Sequence, residues 1–174
     1  MTKNSLPQLR DGIELIYRHH VRTREICDLL DRLASDLFHP DAVRDATRIE
    51  RFLTHDLRWH VADEEEDLFP LLQRRCPPED AIDDIVAMLR REHRQPEKLV
   101  DRFVSDLGRL ASAKPLNLPL EFIWKAMSFA EFERRHSAWE DATILRLARL
   151  RLSDDDRSWL AARIEARRPG HQAV

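Results

Sequence analysis

The chain has 174 residues, 43% of them hydrophobic and 35% charged, which suits one domain with its own core and argues against disorder. Its net charge is −3 with acidic and basic residues interspersed, so neither a nucleic-acid footprint nor a membrane patch is indicated. No apolar run approaches the roughly 20 residues that span a bilayer, and the opening M-T-K-N-S-L-P lacks a signal peptide's apolar core, so a cytoplasmic location is expected.

Only 3 glycines occur, and no segment pairs β-branched alternation with hairpin turns, so the expected fold is all-α. Punctuation at His39-Pro40-Asp41, Cys76-Pro77-Pro78, Lys114 to Pro119 and Leu152-Ser153-Asp154 divides the chain into four long helices and a short fifth. The expectation is a single domain over 1–174, its bundle spanning about 9–152 and its C-terminal helix about 153–168. Cys27 and Cys76 lack C-x-x-C spacing, and neither a disulfide framework nor a zinc knuckle is indicated.

The first helix is predicted from Leu9 to Asp36, with Ile13, Ile16, Ile26, Leu30, Leu33 and Leu37 on one stripe. His20, four after Ile16, falls on that stripe. His19 lies about 100° around the helix and also reaches its edge, so His20 is favoured without His19 being excluded. The second helix starts near Asp41, an N-cap residue type, and carries Val43, Ala46, Ile49, Leu53, His60, Glu64, Leu68 and Leu71 in phase. His55 falls on another face and is expected in solvent. Glu65, Glu66 and Asp67 read as a charged outer face, and Pro70 is expected to kink or end the helix near Glu66.

The third helix is predicted over Glu79 to Leu110, with Ile82, Ile85, Leu89, His93, Val100, Phe103 and Leu107 in a row. Glu97 follows His93 by four, but Pro96 between them distorts the local geometry. The fourth helix begins after Pro119 and aligns Phe122, Ala126, Phe129, His136, Glu140, Ile144 and Leu147, with Glu133 three residues before His136. A fifth begins at Ser153 with Asp154 to Asp156 in its first turn. Trp159, Leu160 and Ile164 form its apolar side, as a lid on the bundle end. His39 and His171 are expected to be exposed.

Each of the four long helices thus turns a histidine inward, and two add a glutamate one turn on. His-x-x-x-Glu spacing alone is weak evidence, since roughly one match is expected by chance against the three seen, at His60, His93 and His136. Burial decides. Two inward carboxylates cost several kcal/mol each unless paired or bound to metal, and Arg24 is the main competing partner. Four histidines and two glutamates exceed what one tetrahedral zinc ion needs, and a dinuclear centre of iron, manganese or zinc fits better.

The residues that carry this pattern are His20, H-V-A-D-E-E-E-D-L-F-P from His60 to Pro70, Glu92-His93, and H-S-A-W-E-D from His136 to Asp141. With them the chain resembles the hemerythrin-like HHE cation-binding proteins over most of its length. The resemblance implies an up-down-up-down four-helix bundle around a non-haem di-iron centre bridged by two glutamates. The implied ligands are His20, His60, Glu64, His93, His136 and Glu140. It further implies binding or reduction of a small oxidant such as dioxygen, peroxide or nitric oxide, or an iron- and oxygen-sensing role without turnover. Oxygen-carrying relatives place two histidines four apart in the third helix and space the fourth-helix histidine and carboxylate by five. Here His93 is followed four residues on by Glu97 in place of a histidine, and the fourth-helix spacing is four, which implies a more open or carboxylate-rich iron suited to reactivity.

Overall fold

The computed structural model describes residues 11–94, 97–117 and 119–168, and for 97–102 the backbone only. Every regular element among the described residues is helical. α1 spans Gly12–Ser35, and Asp11 caps it by accepting from the Ile13 amide at 2.9 Å.

The second helical rod runs from Ala42 to Arg75 with two widened turns. It comprises α2 (Ala42–Arg51), a π turn at Phe52–Asp56, α3 (Leu57–Ala62), a second π turn at Asp63–Leu68 and α4 (Phe69–Arg75). The Leu57 amide donates to the Phe52 carbonyl and the Phe69 amide to the Glu64 carbonyl, five residues back in each case. Pro70 therefore does not end the helix. Its ring and missing N–H are accommodated by widening the turn before it, and α-helical bonding resumes through Arg75. Asp41 holds the N-cap position of α2 without a side-chain cap bond, and its carboxylate pairs with Arg44 at 3.1 Å.

The expected third helix is helical on both sides of residues 95–96, which lie outside the described residues. Ala81, left-handed at φ 48°, separates a short 3₁₀ turn at Pro78–Asp80 from α5 (Ile82–Arg94), and α6 follows at Glu97–Ala111. Pro96 lies outside the described residues. α7 spans Pro119–Ala142, α8 Ile144–Arg151 and α9 Asp154–Ala166. The fourth helix is thus interrupted at Thr143, whose hydroxyl donates to the Trp139 carbonyl at 2.6 Å. A reciprocal Ser153–Asp156 capping box opens α9.

α1 packs along α7, α2 along α6, and α9 lies against α1 and the Asp63–Leu68 turn. The apolar side chains form two separate clusters. One gathers Ile13 and Ile16 of α1, Leu68 to Leu72, Ile82 to Leu89 of α5, and Ile144 to Ala148 of α8. The other gathers Ile26 to Leu33 of α1, Ala46 to Leu53, Phe103 and Leu107 of α6, and Phe122 to Ala130 of α7. Along every long helix the inward histidines and the two inward glutamates fall between the two.

The expected stripes hold with local exceptions. Val43 and Trp159 are exposed, at 45% and 44%, whereas Leu160, Ala161 and Ile164 supply the buried side of α9. His39 is half-buried and faces Asp45 at 3.5 Å, contrary to its expected exposure. His171 lies outside the described residues. No helix among the described residues is long and apolar enough to cross a membrane.

The α1–α9 contact requires a glycine at position 12, where an added Cβ would lie 2.5 Å from Leu160 Cγ and 2.8 Å from the Ala161 backbone nitrogen. Gly12→Ala should therefore destabilise the metal-free protein by about 1–3 kcal/mol in urea unfolding, and an unchanged midpoint would refute this packing.

Candidate metal centre

His20, His60, Glu64, His93, His136 and Glu140 converge at the level between the two apolar clusters, one histidine from each long segment. His20 Nε2 lies 3.5 Å from Glu64 Oε1 and 3.3 Å from Glu140 Oε2, while His60 Nε2 lies 3.4 Å from Glu64 Oε1. Across the site, His93 Nε2 is 3.5 Å from Glu64 Oε2, His136 Nε2 is 3.3 Å from Glu140 Oε1, and the two imidazoles approach at 3.2 Å. The ligand atoms sort into two groups, His20, His60, Glu64 and Glu140 in one and His93, His136 and Glu140 in the other, each within 4.8 Å. Both glutamates stand between the groups.

All four carboxylate oxygens of Glu64 and Glu140, together with His20 Nε2, are buried and make no hydrogen bond. Buried acceptors of this kind are costly unless a cation occupies the space they face. The donor set, imidazole and carboxylate without thiolate, is one that divalent iron, manganese and zinc accept.

The outward ring nitrogens are held in a regular pattern. His20 Nδ1 meets Asp141 at 2.7 Å, His93 Nδ1 meets Glu65 at 2.9 Å, and His136 Nδ1 meets Glu92 at 2.8 Å. Each of these carboxylates follows or precedes a member of the central set in sequence, yet serves a histidine on another helical segment. Such partners fix ring orientation and raise ligand basicity. α1 breaks the pattern, because its residue beside His20 is His19, which stacks on the His60 ring at a centroid distance of 4.0 Å. His19 Nε2 engages the Asp56 backbone carbonyl at 3.1 Å, so it is His20 that faces the glutamates.

Several expectations about neighbours change. Glu65 is a partner of His93, and Asp67, only 2% exposed, bonds Arg163. Only Glu66 of that run belongs to an outer face. Arg24 pairs with Asp141 at 3.0 Å and not with either central glutamate. His55 is exposed as expected and contacts Thr54 at 2.7 Å. The Glu97 side chain lies outside the described residues.

Metal-free electrostatics oppose burial to pairing. Burial works against charge on His20, His93 and His136. The surrounding carboxylates outweigh it and raise all three, His93 to about 8 and His136 to about 10. Burial likewise acts to raise Glu140, but the imidazoles of His136, His20 and His93 hold it well below the usual carboxylate range. Glu64 goes up instead, through burial and the charge of Glu140. His60 and His19 are depressed, first by burial and then by neighbouring imidazoles.

The hemerythrin HHE cation-binding domain model matches residues 11–148. The chain belongs to that family. No curated protein and no solved structure matches the chain significantly. The family assignment and the buried histidine–glutamate cluster together establish a cation-binding domain, and the matched segment ends in α8, before α9.

Spacing signalled the six central residues of this hemerythrin-family chain, whereas Glu65, Glu92 and Asp141 were missed as imidazole partners. Their adjacency to Glu64, His93 and Glu140 was the available signal. Glu133, one turn before His136, is also buried, and burial beside Glu140 and Glu64 pushes its carboxyl up to about 7 despite the opposing His136. A carboxyl raised on folding contributes stability below its unfolded value of 4.5 that is lost as pH rises through about 7. Metal-free Glu133→Gln should therefore gain on the wild type by up to about 3 kcal/mol between pH 5 and pH 8, and parallel stability profiles would refute this.

Proposed function

We propose that this chain is a non-haem di-iron protein of the hemerythrin-like type, one domain built as an up-down-up-down four-helix bundle with a fifth helix, that binds or reduces a small oxidant. The alternation of the two apolar clusters supports the bundle reading, since each long segment enters one cluster where the preceding segment leaves it. The observation that carries the metal reading is the set of unsatisfied buried glutamate oxygens facing four imidazole nitrogens. His20 and His60 would hold one ion, His93 and His136 the other, with Glu64 and Glu140 bridging. When bound, two irons supply electrons and an open position for dioxygen, peroxide or nitric oxide.

The protein's own contribution is orientation and dryness. Asp141, Glu65 and Glu92 fix three of the rings. Phe69 stacks on His93 at 5.9 Å and Phe132 on His136 at 5.6 Å, so apolar faces flank that half of the site. Manganese or zinc suits the same donors.

A second reading, an iron- and oxygen-responsive module without turnover, is favoured by how poorly the metal-free core satisfies its glutamates. Occupancy would then control stability directly. Peroxide turnover by the loaded protein supports the first reading, and reversible metal-dependent unfolding without turnover supports the second.

Protein isolated anaerobically should contain about two irons per chain and change its visible absorption with oxygen or peroxide. Glu64→Ala and Glu140→Ala should lose most of that metal and His55→Ala none. Colourless metal-free protein of undiminished thermal stability would sink the di-iron reading.

Loading must displace protons from the charged imidazoles of His93 and His136, so about two or more protons per chain should appear in weakly buffered solution at pH 7. Affinity should rise with pH through about 8 and on to about 10, because charge on His93 and then His136 competes with metal below those values. Proton-free loading with a flat pH profile would contradict this.

A further inference from the structure

Glu64, whose carboxylate stands between both halves of the centre, sits within a π turn, and its own carbonyl accepts the bond that widens that turn. Returning the turn to α-helical geometry would move the chain out of phase by about 100° per residue removed from it. His60 on one side and the core residues Leu68 and Phe69 on the other would then no longer align with Glu64.

The same turn is clasped from outside by the end of α9. Arg167 Nη1 lies 2.6 Å from Asp63 Oδ1 and 2.8 Å from Asp67 Oδ2, while its Nη2 reaches Glu66 at 2.7 Å. Arg163 Nε bonds Asp67 Oδ1 at 2.9 Å, and Arg168 pairs with Asp63. Asp63 and Asp67 are only 1% and 2% exposed. They flank Glu64 at one residue before and three after. A planar guanidinium can span two carboxylates in a fixed geometry, which a lysine ammonium cannot.

We propose that Arg163, Arg167 and Arg168 are positioning residues for the metal centre, holding the Asp63–Leu68 π turn so that docking of the C-terminal helix sets the aim of Glu64. This rests on the proposed metal reading but uses residues beyond the segment that the family model matches. α9 is thereby part of the centre's support as well as a cover over α1.

Arg167→Lys keeps the charge and loses the span. A second variant, Asp67→Asn with Arg167→Gln, leaves no charge from that pair unpartnered and guards against misfolding. Arg157→Lys, on the same helix but facing Asp11 at 3.0 Å, is the control. Full-length proteins are titrated with Co(II), whose visible bands report ligand geometry, and amide exchange is followed over residues 64–69. Both clamp variants should bind at least one equivalent about tenfold or more weakly with altered bands, and exchange about tenfold faster across the turn, while Arg157→Lys matches wild type. Unchanged isotherm, bands and exchange in the clamp variants would overturn the proposal. A purely structural role would lower the melting temperature of the clamp variants and of Arg157→Lys alike without altering the bands, and this also overturns it. If wild type takes no Co(II), the metal reading fails, and the exchange comparison alone decides whether the clamp holds the turn.

Discussion

Two carboxylates and four imidazoles are buried at one level of a helical core, and the rest of the structure is arranged around that cost. Apolar packing is divided into a cluster on either side of the level, and no long helix carries an uninterrupted apolar stripe through it. A buried carboxylate in such a place is tolerated when opposite charge is close on several sides. Glu140 meets this condition through three imidazoles, whereas at Glu64 burial and the charge of Glu140 outweigh the opposing His20 and His93. The unequal fate of two chemically identical groups is what a shared cation would relieve.

Outer support follows the same logic at the next distance out. Glu65, Glu92 and Asp141 each lie beside a central residue and reach across to a histidine of a neighbouring segment, so the helices are tied in sequence around the site. Charge on the imidazoles is thereby shared among carboxylates at two radii. His60 is the exception, backed by the stacked ring of His19, and its half of the centre is held with less charge.

The second helical rod shows how backbone geometry adapts to side-chain placement. A regular helix advances about 100° per residue, and over the 34 positions from Ala42 to Arg75 the inward face drifts unless the phase is corrected. Two π turns supply that correction, one on each side of His60. The second also absorbs Pro70, so the feature expected to break the helix coincides with the turn that carries Glu64.

Helical class, the inward faces and the six central residues were legible in the sequence because each is a local property of 3.6-residue periodicity, read one helix at a time. His20 could be preferred over His19 by its place relative to Ile16, yet only the tertiary contact with the Asp56 carbonyl showed where His19 goes. The partners of the imidazoles, the burial of Asp63 and Asp67, and the arginines of α9 that face them depend on segments up to 121 residues apart, and no local pattern encodes such distances. The π turns were likewise hidden, since hydrophobic phase is tallied on an ideal helix. The sequence by itself determined which face of each helix must be apolar and turned inward; the tertiary structure decided which polar side chains were buried with it and what each would face, because that depends on neighbours brought together only when all the helices pack.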